Sequence, residues 1–125
     1  MATIRKPELD IKLAGKNVTV TLRAEVAMSD AEKYLCDQFG VRFVANGYLQ
    51  EYDEHSPNEP LWTFVPTQFL SKPGPVEWTF TWPQDAFESI VSTEPGDEEL
   101  LGKVSVQATL RLNTEKSTAI TPYPA

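Results

Sequence analysis

KNVTVTLRAEVAM, residues 16–28, is the stretch that decides the fold. Val18, Val20, Leu22, Ala24 and Val26 alternate strictly with Thr19, Thr21, Arg23 and Glu25. Successive side chains on a strand point to opposite faces, so this period of two sets five apolar residues against a core and four polar ones against water. Just upstream, Leu9, Ile11 and Leu13 alternate in the same way. Between the two runs Ala14-Gly15-Lys16-Asn17 supplies a turn with a glycine, and the pair reads as a β-hairpin.

Towards the C-terminus, KVSVQATLRL repeats the grammar. Val104, Val106, Ala108, Leu110 and Leu112 form one face, and Ser105, Gln107, Thr109 and Arg111 the other. A weaker strand follows in STAITP, closed by Pro122. VRFVANGYLQEYD is a further strand with Val41, Phe43 and Ala45 on one face, and Asn46-Gly47 is expected to be a bulge within it rather than a hairpin turn. LWTFV, ended by Pro66, is another strand. In VEWTFTWP, residues 76–83, Val76, Trp78, Phe80 and Trp82 share one face and Glu77, Thr79 and Thr81 the other, and Pro83 ends the ladder because it has no N–H to donate.

Two segments break the strand pattern. SDAEKYLCDQFG carries the marks of a short helix: Ser29 and Glu32 fit a capping box, and Gly40 fits the residue just past a C-terminus. Its apolar side is expected along Ala31, Leu35 and Phe39, or Ala31, Tyr34 and Leu35. PQDAFESIV suits one or two helical turns, with Pro83 at the first position and Phe87, Ile90 and Val91 packed inward. EHSPNEP, SKPGP and TEPGDEE read as loops and turns.

About seven short strands with frequent Pro and Gly turns and little helix describe an all-β protein. The expected architecture is a single antiparallel β-sandwich domain spanning residues 1–125, with one or two short helical turns. It resembles immunoglobulin-like sandwiches in general grammar only, since the Cys…Trp…Cys pattern of antibody domains is absent and Cys36 is the sole cysteine.

Composition narrows the function classes. Eleven basic against eighteen acidic residues give a net charge of −7, and the basic residues are scattered, so nucleic acid is not an expected partner. No apolar run approaches the roughly 20 residues of a membrane-spanning helix, and no membrane association is expected. MATIRKPELD has basic residues with no apolar run behind them, so no secretory leader is expected and the reading leans to the cytoplasm. One cysteine allows neither an intrachain disulfide nor a thiolate cluster.

Specific chemistry is hard to find. His55, the single histidine, stands among Asp53, Glu54 and Glu59, too few nitrogen or sulfur ligands for zinc and the wrong spacing for a calcium loop. Cys36 in the middle of a helix reads as a buried, inert thiol. No nucleophile elbow, phosphate loop or H-E-x-x-H motif occurs, so neither catalysis nor a metal or other cofactor is expected.

The aromatic residues offer one binding surface. Trp62, Trp78 and Trp82, with Tyr48 and Tyr52, would stack against the apolar faces of sugars if exposed. The alternative places the 76–82 row in the core, where burial of each large side chain contributes roughly 1.5–3 kcal/mol. The wet face of Glu77, Thr79 and Thr81 favours the core, with Trp82 at the strand end the exception to look for. The reading is therefore a non-catalytic interaction or structural domain with a protein partner or a second copy of itself. Carbohydrate binding and a small barrel holding an apolar ligand are the alternatives.

Overall fold

A computed structural model of the chain describes residues 2–52, 57, 59–91, 100–109 and 119. The elements run β1 (Thr3–Ala14), β2 (Asn17–Ala27), α1 (Asp30–Phe39), β3 (Arg42–Glu51), β4 (Glu59–Thr63), β5 (Gln68–Leu70), β6 (Gly74–Pro83), α2 (Gln84–Val91) and β7 (Leu100–Thr109). They build two antiparallel sheets and two helices.

The hairpin expected from the alternation forms, with Ala14 opposite Asn17 and Gly15 at φ 62° closing the turn. β2 is the middle strand of the first sheet, in the order β1-β2-β6, and its register sets Val18 beside Trp82, Val20 beside Phe80 and Leu22 beside Trp78. All five apolar residues of β2 are buried. On the outer face Thr19 meets Thr81 (2.9 Å) and Thr21 meets Thr79 (3.3 Å), while Arg23 reaches Glu8 on one side and Glu77 on the other. These exposed ion pairs add little stability. The edge strand β1 departs from expectation: Leu9 is half-buried, but Ile11 and Leu13 are 40% and 68% exposed. A register shift between Arg5 and Glu8, with Lys6 at φ 50°, also interrupts this edge.

The second sheet is built on β3. β7 pairs along the whole of one edge, from Arg42 opposite Thr109 to Glu51 opposite Leu100. β4 and β5 share the other edge, opposite Tyr48–Glu51 and Phe43–Ala45. Because the β3–β7 register is unbroken through Asn46-Gly47, that dipeptide is neither turn nor bulge, and the expected bulge is corrected. The irregularity lies instead between Leu49 and Gln50 on the β4 side. Gly47 answers a different need. A Cβ there would lie 2.7 Å from the Trp78 indole and 3.0 Å from Leu22. Gly102, opposite Leu49 on β7, is equally constrained, since its Cβ would fall 2.5 Å from Leu22. Leu22 and Trp78 of the first sheet thus seat against bare backbone of the second, and the two sheets face one another across them.

The helices stand at opposite ends of the sheets. The Gln84 N–H donates to the Lys16 carbonyl (2.8 Å), which fixes α2 beside the hairpin tip, with Phe87 and Val91 buried and Ile90 half-buried, as expected. α1 leaves β2 at its far end and leads into β3. Its caps are those read from the sequence. Ser29 Oγ accepts from the Glu32 N–H (3.2 Å), Glu32 Oε1 accepts from the Ser29 N–H (2.9 Å), and Gly40 ends the helix at φ 67°. At ten residues it is longer than one or two turns, and its packing face differs from expectation. Glu32 and Cys36 are buried, whereas Ala31, Tyr34, Leu35 and Phe39 are exposed. The chain enters and leaves α1 through buried Met28 and Val41, so the inward row is Met28, Glu32 and Cys36, one residue every four. β5 had no expected counterpart. Leu110, Leu112 and, apart from Ala119, which is in no strand, the STAITP segment lie outside the described residues.

Two tests follow from this packing. Gly47→Ala is expected to destabilise the fold by about 1–3 kcal/mol through overpacking against Trp78, whereas Gly74→Ala, with nothing within 4 Å of its added Cβ, serves as a near-neutral control in urea unfolding. Ser29→Ala is expected to cost about 0.5–2 kcal/mol through loss of the cap. The Ser29 backbone bond, helped by its hydroxyl, holds the Glu32 carboxyl below its ordinary value despite burial. That depressed value stabilises the fold above the unfolded carboxylate pKa of about 4.3, and the gain disappears as pH falls through the folded value. The stability gap between the native chain and Glu32→Gln should accordingly narrow below about pH 4.

Candidate interaction surface

Each tryptophan ends in a different setting. Trp78, on β6, is 2% exposed and donates its indole N–H to the Pro66 carbonyl (2.8 Å). Trp82 is 5% exposed despite its place at the strand end, because α2 folds back and brings Phe87 to a ring separation of 5.4 Å. Trp62, on β4, is half-buried and crosses to β6, with ring centroids 5.1 Å from Phe80 and 5.2 Å from Trp82. Phe80 and Trp82 are 4.5 Å apart. The planes in this cluster meet at 50–79°, the tilted and edge-on contacts of packed aromatics. The rings therefore close one end of the space between the sheets rather than forming a flat platform. Of the two tyrosines, Tyr48 is half-buried on β3 and Tyr52 is exposed just beyond it. The five candidate binding residues are thus not gathered on one open face. Among the described residues, the Trp62 indole N–H is buried without a hydrogen-bond partner.

The titratable candidates are no more suggestive of chemistry. Cys36 is 4% exposed, and burial raises its thiol pKa, which keeps it protonated and a poor nucleophile. His55, Asp53 and Glu54 lie outside the described residues, and Glu59 is exposed at the start of β4. Among the described residues no three His, Cys, Asp or Glu side chains come together as metal ligands, and no helix is long and apolar enough to cross a membrane.

What the structure does present is apolar surface at both ends. On α1, Tyr34 and Phe39 are each 58% exposed and Leu35 is 41% exposed, with the two rings in edge contact at 6.0 Å. Beside them a groove of about 470 Å³ runs between α1 and the β3–β7 ladder, lined by Leu35, Val41, Phe43, Val106 and Ala108 together with the polar Glu32 and Gln107. At the other end, Ile11 and Leu13 extend the inner face of the first sheet past its cover, paired with buried Val20 and Val18. The sequence contained the signal for both surfaces, as the Ala31, Leu35, Phe39 stripe and the Leu9, Ile11, Leu13 alternation. The α1 stripe faces outward rather than into the core, whereas the β1 row lies on the inner face as expected, with Leu9 packed on the core and Ile11 and Leu13 left uncovered.

Comparison with known protein families, with characterised protein sequences and with solved structures gives no match. The site must therefore be argued from its own residues.

With Trp78 and Trp82 enclosed, the native tryptophan emission is expected to be blue-shifted and poorly quenched by iodide. Trp62→Phe should remove most of whatever component iodide does reach. A dominant exposed emission surviving that substitution would contradict the packing described.

Proposed function

We propose that the chain is a non-catalytic structural or interaction domain that associates with further copies of itself. The observation that carries this reading is the outward apolar face of α1, formed by Tyr34, Leu35 and Phe39, of which Leu35 also lines a largely apolar groove. Large contiguous apolar surface on a folded protein marks a contact site more often than chance. A net charge of −7 disfavours non-specific sticking between copies, so an apolar face is retained against that tendency.

The finer architecture belongs to this proposal. We take the two facing sheets as the halves of one antiparallel β-sandwich domain, immunoglobulin-like only in that general sense. Such a domain gives two stiff layers whose ends carry helices and turns, a suitable frame for presenting contact surfaces. Association is the reading that the outward apolar face of α1 supports. Sugar binding draws less support, because two of the three tryptophans are enclosed. A ligand-filled barrel draws less still, because Leu22 and Trp78 occupy the space between the sheets. The partner class is protein, in a cytoplasmic setting, with neither nucleic acid nor membrane.

Light scattering across a wide concentration range tests the proposal. The mass is expected to rise with concentration above 14.0 kDa. Phe39→Glu should weaken association at least tenfold, or about 1.4 kcal/mol, with the unfolding midpoint nearly unchanged because the ring is 58% exposed. A monomer at every concentration would overturn the reading.

A further inference from the structure

We propose that β7 pairs with β7 of a second copy, antiparallel about a two-fold axis at Ser105, so that the second sheet runs on across both copies. This rests on the self-association reading and deepens it by naming the strand through which the copies join.

A strand at the edge of a sheet has backbone N–H and C=O groups with no partner on its outer side. Folded proteins blunt such edges with prolines, charges, bulges or short length. Three of the four sheet edges here are blunted in these ways. β1 carries Pro7, a register shift between Arg5 and Glu8, Lys6 at φ 50°, and further charges at Asp10 and Lys12. β6 has Pro75 and Pro83 near its two ends, and Gln68 Nε2 already donates to its Glu77 carbonyl (2.6 Å). β4 has five residues, Pro60 among them, and β5 has three. β7 uses none of these devices. Its ten residues hold no proline and one charge, Lys103, and its register with β3 is unbroken from Leu100 to Thr109. Among the described residues β3 is its only strand partner, and Ala119, the one described residue beyond Thr109, is exposed and in no strand.

The sequence of β7 fits a copy of itself. Opposite residues of an antiparallel pair share a face, so with Ser105 facing Ser105 the inner face matches Val104 with Val106 and Gly102 with Ala108. The outer face matches Lys103 with Gln107 and Leu101 with Thr109. β-Branched residues therefore meet, and the two lysines stand four residues apart along the ladder, roughly 13 Å. β7 itself carries no acid, so the two strands oppose no carboxylates although the chain has a net charge of −7. The edge is also continuous with the apolar groove beside α1, which Val106, Gln107 and Ala108 help to line. The register brings Leu100 and Leu101 of the second copy to that end of the strand. Such a contact is isologous and closes as a dimer.

Amide hydrogen exchange on the native chain, from dilute solution to concentrations where it associates, tests the pairing without altering the strand. Alternate residues of β7, those turned away from β3, are expected to exchange about tenfold more slowly on association, while the β1 and β6 edges keep their rates. Ser105→Cys tests the axis. Directly opposite Cα atoms lie about 4.5–5.5 Å apart, within reach of a disulfide, so mild oxidation should give a covalent dimer. Thr81→Cys on β6 and the native chain, whose Cys36 is buried, should give none. If the native chain associates while β7 exchange is unchanged, or if β7 is already fully protected in dilute solution by a strand of its own chain, the pairing is overturned and self-association stands. Slowed exchange without a Ser105→Cys dimer overturns the axis. If the native chain is monomeric throughout, both proposals fall together.

Discussion

Leu22 seated against two glycines holds the two sheets in place. A leucine side chain fully removed from water contributes about 1.5–3 kcal/mol, but only if the facing surface admits it. Here the facing surface is backbone. Gly47 on β3 and Gly102 on β7 stand diagonally across the second sheet, opposite Val104 and Leu49, and leave a recess that a single Cβ at either position would fill. Trp78 lies next to Leu22 across the β2–β6 ladder and occupies the same recess, its indole N–H tied to Pro66. Changing either glycine would therefore shift the spacing between layers rather than one side chain.

This constraint explains what could be read from the chain in advance. β2 was legible because strict alternation over nine residues is a local signal with one structural solution, and its partner in the hairpin followed from the turn. α1 was legible at both ends, because the Ser29–Glu32 box and Gly40 act within one turn of themselves. Gly47 was not. The dipeptide Asn46-Gly47 has the local chemistry of a turn, yet the reason for the glycine is an indole thirty-one residues away in sequence, reached only after both sheets have formed. β5, three residues long, exists only as a partner for Phe43–Ala45 and has too little sequence to carry a periodic signal.

The exposed surfaces illustrate a different limit. Periodicity tells which residues share a face, and it does so correctly for Ala31, Leu35 and Phe39 and for Leu9, Ile11 and Leu13. It does not tell which face meets the core. On α1 that choice is made by the flanking chain: Met28 and Val41 are drawn inward, and Glu32 is held under the helix by its bonds to Ser29. A buried carboxylate in place of a leucine costs hydration unless it is hydrogen-bonded, and the cap supplies that bond. The apolar stripe is thereby rotated outward. The same candidate residues that sequence reading would hide in a core become the surface on which function is proposed.

The dimensions of those surfaces bear on how association would behave. A ten-residue helix is about 15 Å long, so α1 and its groove present well under the roughly 800 Å² per partner of a standard stable interface. A single junction of this size is weak, and between acidic chains it must also overcome long-range repulsion that weakens with added salt.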